Sequence, residues 1–179
     1  MSSRSASRAK PRRVACRVVV IVDAATATAW KRAVPDLEAQ VRAASRAVLR
    51  HMKPRRGRSE IAVRLSGDRD VRRLNRDFRG KDKPTNVLSF PSGDETSPRG
   101  APLMLGDIAI AYGTVAREAA AQGKSVRDHL LHLVIHGVLH LLGHDHQRSA
   151  EAQRMENLER DLLAGFGIAD PYALERRRA

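Results

Sequence analysis

Six of the seven histidines in the 179-residue chain fall between His129 and His146, and their spacing decides what chemistry they can share. On a helix each residue turns about 100°. His129, His132, His136 and His140 therefore share one face, while Leu130, Leu131, Leu133, Val134, Val138, Leu141 and Leu142 fill the others. A helix this apolar belongs in a core, where unpaired imidazoles are costly. A metal ion removes that cost by taking ring nitrogens as ligands. Residues four apart stand about 6 Å apart along the axis and can converge on one ion, whereas the eight-residue step from His132 to His140, about 12 Å, is too long. The helical pair is therefore His132 with His136, or His136 with His140. Gly143 ends the helix one turn after His140 and lets the chain fold back, which favours His136 and His140 joined by His144 or His146.

The spacing H-x3-H-x5-H, with Gly143 three residues after the second histidine, matches the extended zinc motif H-E-x-x-H-x-x-G-x-x-H. That match places His146 as the third ligand and leaves His144 outside. The expectation is one catalytic ion, zinc, on His136, His140 and His146. Three neutral ligands leave the ion's charge intact and a fourth position open to water, whose pKa such a site lowers to about 7. The peptidase motif has Glu after its first histidine; this chain has Gly137. Metal-hydroxide chemistry without that carboxylate base argues against a zinc peptidase and leaves phosphodiester hydrolysis open. His129, His132 and His144 are expected to be ordinary core or surface histidines. Asp145 either orients a ligand histidine or caps the following turn, and Met155 is expected to serve helix packing.

These side chains need a scaffold, and the rest of the chain supplies its parts. Residues 17–23 (RVVVIVD) form a continuous β-branched run, a buried strand. Residues 30–52 carry Trp30, Val34, Leu37, Val41, Ala44 and Val48 at helical spacing, with a bend or restart at Pro35. Residues 60–66 alternate through Ile61, Val63 and Leu65, the pattern of a half-buried strand. Asp68 can cap a short helix bearing Val71, Leu74 and Phe78. A polar loop at 79–84 precedes a third strand at 85–90. A fourth strand at 105–112 follows, with Gly106 marking a bulge or close approach. A helix at 114–122 comes next, and Ser125 with Asp128 makes a capping box for the histidine helix. The last helix spans 149–164. The order β-α-β-α-β-β-α-α-α predicts a single α+β domain: a small mixed four-stranded sheet covered by helices, one of them a zincin-like metal-binding helix.

The net charge of +13 favours polyanionic partners, nucleic acid first, through phosphate neutralisation and counterion release. Arg4, Arg8, Lys10, Arg12 and Arg13 make residues 1–15 a disordered basic arm, and Arg176, Arg177 and Arg178 make 174–179 a basic tail. The catalytic domain is expected at 16–173. Aromatics are only 3% of the chain, too few for stacking platforms, so RNA contact is expected to be mainly electrostatic. A single cysteine, Cys16, excludes an internal disulfide framework and fits a reduced, cytoplasmic setting. The longest apolar run is too short to span a bilayer, so no membrane partner is expected.

The run His136-Gly137-Val138-Leu139-His140-Leu141-Leu142-Gly143-His144-Asp145-His146 is similar to the H-G-x-L-H-L-x-G-x-D-H signature of the YbeY-type endoribonucleases, the ribosomal RNA maturation factors. The run Arg79-Gly80-Lys81-Asp82-Lys83-Pro84-Thr85-Asn86-Val87-Leu88-Ser89-Phe90 resembles that family's second hallmark, and Leu105-Gly106-Asp107-Ile108 a third. The resemblance covers residues 17–172; the arm and the tail fall outside it. It implies a zinc-dependent, single-strand-directed endoribonuclease acting in small-subunit ribosomal RNA maturation and ribosome quality control, with ribosomal RNA and the small ribosomal subunit as partners. It implies zinc ligands at His136, His140 and His146 and an essential arginine at Arg79, and it leaves the oligomeric state open. The chemistry of Arg79 agrees: its planar fork suits the two free oxygens of a phosphate and the charge that builds there during cleavage. Lys81 and Lys83 can steer the strand or hold neighbouring phosphates. The rival functions are a non-catalytic, zinc-containing ribosome assembly factor and a zinc peptidase drawing its base from elsewhere in the chain.

Overall fold

The structure, a computed structural model, describes residues 15–52, 58–93, 101–144 and 148–173. The tail at 174–179, the arm apart from Ala15, and Asp145 with His146 lie outside the described residues. Four strands form a sheet in the order β1-β2-β4-β3: β1 (Ala15–Val22), β2 (Arg58–Ser66), β3 (Val87–Pro91) and β4 (Leu103–Ala111). β1, β2 and β4 run parallel, and β3 returns antiparallel to β4. This is the mixed four-stranded sheet that the segment order predicts. Strand alternation sorts its two faces. Ile61, Val63 and Leu65 of β2 are fully buried on one side, while Glu60, Ala62 and Arg64 stand half-buried on the other.

Among the described residues six helices complete the domain: α1 (Ala24–Ala33), α2 (Leu37–Met52), α3 (Asp68–Arg79), α4 (Tyr112–Ala121), α5 (Val126–Leu141) and α6 (Ser149–Ala164). The main core lies where α2 and α5 pack on the sheet, α2 on β1 and α5 on β3 and β4. A smaller core of Val71, Leu88, Ala109 and Ala111 lies under α3, which contacts β3 and β4. Among the described residues no helix is long and apolar enough to cross a membrane.

The local outcomes of the sequence expectation have physical causes. The restart foreseen at Pro35 is present, and the segment at 30–52 is divided between two helices. Pro35, which lacks an N–H, and Asp36 at φ 51° separate α1 from α2. α1 also starts earlier, at Ala24, because its first turns (AATATA) have no apolar stripe to betray them. Asp68 does not cap α3, whose N-cap is Gly67. Its carboxylate instead accepts hydrogen bonds from the Thr114 backbone N–H at 2.8 Å and from Arg117 at 2.8 Å, so it caps α4 across the fold. The bulge foreseen at Gly106 is present. The β2–β4 register shifts between Glu60 and Ile61, and Gly106 adopts φ 135°.

Candidate active site

The histidine helix α5 is stopped sharply at both ends. The Ser125 side chain accepts a hydrogen bond from the Asp128 backbone N–H at 3.0 Å. At the other end Gly143 takes φ 85°, its N–H bonds to the His140 carbonyl, and the His144 N–H bonds to the Leu139 carbonyl, each at 3.0 Å. This paired arrangement satisfies the last carbonyls and turns the chain back. Ten residues of α5 are buried, and two glycines let it sit close to the sheet. A Cβ on Gly137 would lie 3.0 Å from Ile108 Cδ1 and 3.1 Å from Ser89 Oγ. A Cβ on Gly106 would lie 2.2 Å from the Phe90 carbonyl oxygen and 2.9 Å from Leu141 Cδ2. Gly137 therefore has a packing reason as well as a chemical consequence: the position where a zinc peptidase keeps its carboxylate faces the sheet without room for one.

On this seated helix His136 and His140 turn their rings to a common point, with Nε2 atoms 3.0 Å apart and ring centroids 4.5 Å apart. Two nitrogens bound tetrahedrally to one zinc ion are separated by about 3.3 Å, so the pair fits a shared ion. The back of His136 is held by a carboxylate. Its Nδ1 lies 2.8 Å from Glu159 Oε1, and Glu159, on α6, is 1% exposed. The second oxygen, Oε2, meets His132 Nε2 at 2.9 Å and accepts the Tyr172 hydroxyl proton. Burial pushes the Glu159 carboxyl up, but its hydrogen bonds to His132 and His136, with the charge of both rings, outweigh burial and hold it at about 2. An ionised Glu159 accepts a hydrogen bond from His136 Nδ1–H and leaves Nε2 directed at the shared point, an arrangement suited to supporting a metal-binding imidazole.

Arg79 closes the opposite wall. It is the last residue of α3, and Gly80 at φ 68° ends the helix behind it. Buried Asn75 pins the following loop. Its Nδ2 donates to the Lys83 carbonyl at 2.7 Å, and its own carbonyl accepts from the Lys81 N–H at 3.2 Å. Asp82 is paired with Arg72 through two contacts at 2.7 and 2.8 Å. Arg79 makes no ion pair with any described residue and lines a cleft of about 1010 Å³ together with Ser89, His136, His140 and His144. The structure thus brings Arg79, His136 and His140 into one cleft. His144 lines it too, and His146 lies outside the described residues. Lys81 and Lys83 are exposed on the loop beside it. Met155 is 2% exposed within the main core.

Glu159 and Tyr172 are functional candidates that the histidine pattern does not reveal. A signal for Glu159 exists: the buried residues of α6 are Met155, Glu159 and Leu163, so a lone carboxylate sits in the middle of an apolar stripe at i, i+4 and i+8. Tyr172 comes to Glu159 only through the turn after α6 and has no such signal.

Fold and cleft together define a single-domain α+β protein whose buried helix presents a carboxylate-backed histidine pair in the cleft that Arg79 also lines. A family model described as "Endoribonuclease YbeY" matches residues 25–167, and the chain belongs to this family. A Rhodopseudomonas palustris protein named endoribonuclease YbeY is 58% identical over 122 residues, 68% of this chain and 64% of that protein. Proteins of the same name from Paramagnetospirillum magneticum and Bradyrhizobium sp. are 52% and 51% identical, with 80% of this chain covered in each case and 90% and 86% of theirs. The fold is also that of TM1509 from Thermotoga maritima, solved in solution: TM-score 0.53, 21% identity, covering 86% of this chain and 97% of that one.

Proposed function

We propose that this chain is a zinc-dependent endoribonuclease that cuts single-stranded RNA in the maturation and quality control of small-subunit ribosomal RNA. The observation that carries the reading is the convergence of the His136 and His140 Nε2 atoms, 3.0 Å apart, in the cleft that Arg79 also lines. The relatives' printed name, endoribonuclease YbeY, supports its endoribonuclease part. His136, His140 and His146 would hold the ion, which would supply Lewis acidity at the cleft. Glu159 keeps the His136 ring turned toward it. Arg79 grips the scissile phosphate with its planar fork and offsets the charge that builds during cleavage. The basic surface draws the strand in, and Gly137 leaves the site without a peptidase base.

The test is cleavage of an end-labelled, structured ribosomal RNA fragment by metal-quantified protein, comparing wild type with Arg79→Ala and His140→Ala. Stoichiometric zinc in wild type and Arg79→Ala, with cleavage by wild type alone, is the expected result. Equal cleavage by all three exposes a contaminant. Bound zinc without cleavage in any sample turns the reading to an assembly factor. A cyclic phosphate at the product end assigns attack to the neighbouring ribose hydroxyl; its absence points to water.

A further inference from the structure

Hydrophobic side chains this exposed are few: among the described residues only Ile21, Phe78 and Met104 are large, apolar and exposed, and Phe78 is the extreme at 68%. Its position adds to its interest. Phe78 immediately precedes Arg79 at the end of α3, and its ring lines the cleft of Arg79, His136 and His140. The same ring forms a wall of a second, apolar hollow of about 370 Å³ on the outer face of the sheet, with Leu74, Phe90, Ile21 and Ala62. Phe90 supports it from one side, with ring centroids 5.1 Å apart and planes at 62°. That tilted contact steadies the ring without covering it. The charged side chains of the hollow include Arg64, whose guanidinium is already engaged by Asp23 at 3.0 and 3.1 Å. Asp107 also lines the hollow, and Arg79, next to Phe78 in the chain, makes no ion pair with any described residue.

We propose that Phe78 and the hollow behind it form a nucleobase subsite, which stacks one unpaired base of the RNA strand next to the phosphate held by Arg79. This deepens the ribonuclease reading and rests on it. An anionic phosphate suits Arg79, and a planar, weakly hydrated ring suits Phe78 and the apolar hollow. A single strand presents both on adjacent atoms, whereas in a duplex the base faces are stacked away. The spacing also follows from the chain, because Phe78 and Arg79 are consecutive residues at a helix end that Gly80 terminates. One well-placed ring adds stacking to the mainly electrostatic contact that the low aromatic content suggests. It also gives a reason for Phe78 to stand 68% exposed, among the described residues, next to an arginine that pairs with none of their carboxylates.

The experiment measures binding of the full chain to a short, labelled single-stranded oligoadenylate RNA by fluorescence anisotropy across a salt series. Phe78→Ala is expected to bind about tenfold more weakly with an unchanged salt slope, because stacking releases no counterions. Arg79→Ala is expected to flatten that slope by about 0.7. Phe78→Trp is expected to restore affinity and to report contact directly: its fluorescence falls on RNA addition, against the constant background of fully buried Trp30. Phe78→Leu, apolar but not planar, is expected to behave like Phe78→Ala. Unchanged affinity in Phe78→Ala and Phe78→Leu, or unquenched Phe78→Trp at saturating RNA, overturns the subsite while leaving the ribonuclease reading standing. Failure of the wild type to bind the RNA at all overturns both. Thermal melts of each variant separate a binding defect from a folding one.

Discussion

The same helix carries two histidine–carboxylate pairs, and they serve different ends. Near its start, His129 Nε2 meets Glu118 of α4 at 2.7 Å, and the Asn86 amide donates to the same carboxylate oxygen at 2.9 Å. The other ring nitrogen, His129 Nδ1, is buried without a hydrogen-bond partner. Two turns on, His136 Nδ1 meets Glu159 at 2.8 Å, but its Nε2 faces His140 in the open cleft. The first pair is a tie. It joins α4, α5 and the segment that enters β3, and so braces the wall of the cleft. The second is a support, with one nitrogen anchored and the other presented. What separates the two pairs is therefore the environment of the second nitrogen, since residue type and carboxylate partner are the same in both.

Breaking the presented pair is expected to remove function and spare the fold. His140→Ala should abolish both stoichiometric zinc and RNA cleavage, read by metal analysis and a gel assay, while the melting temperature of metal-free protein stays near that of wild type. Arg79→Ala should keep zinc and lose about 10²–10³-fold in cleavage rate, the usual loss when one donor to a developing negative charge is removed. Glu159→Gln should weaken zinc by about 10–100-fold in a chelator competition, as loss of an orienting carboxylate does. An unchanged affinity would reduce Glu159 to a packing element and erase the distinction between the two pairs.

Breaking the seating of the helix or the tie is expected to do the opposite. Gly137→Ala pushes a methyl to 3.0 Å from Ile108 Cδ1 and should cost about 1–3 kcal/mol of stability by overpacking, read from denaturant melts. His129→Gln should cost about 1 kcal/mol and leave zinc binding unchanged at neutral pH. It also carries a pH signature. Burial, partly offset by the Glu118 hydrogen bond, lowers the His129 pKa below its ordinary 6.5. The folded state therefore holds this imidazole neutral, while the unfolded chain takes up a proton below about pH 6.5. The stability contributed by neutral His129 is present above that pH and is lost as the pH falls through the lower, folded value. The acid-side fall in melting temperature should accordingly be shallower in His129→Gln than in wild type.

Much of this was legible in the residues. Alternation at Ile61, Val63 and Leu65 and the β-branched run from Arg17 predict strands, and the chain order of the segments predicts the mixed sheet. Gly143 marks the end of α5, and the four-residue step from His136 to His140 predicts their convergence. The start of α1 was not legible, because alanines and threonines without an apolar stripe leave no periodic trace. Asp68 misleads because a carboxylate before a helical pattern looks like its cap, while its actual partner, the Thr114 N–H, lies 46 residues away. Glu159 left a trace as a charge within the apolar stripe of α6, but nothing local names the histidines it meets.

The sequence by itself determined the identity of the candidate ligands and their spacing on a helix, since both depend only on residue type and the helical repeat. It also determined the absence of a carboxylate at Gly137. Tertiary structure decided which histidine presents its second nitrogen to the cleft and which buries it. It also brought Arg79 across from α3 and Glu159 up from α6. Those are contacts between elements distant in sequence, set by how α5 seats on the sheet, and no local spacing encodes them.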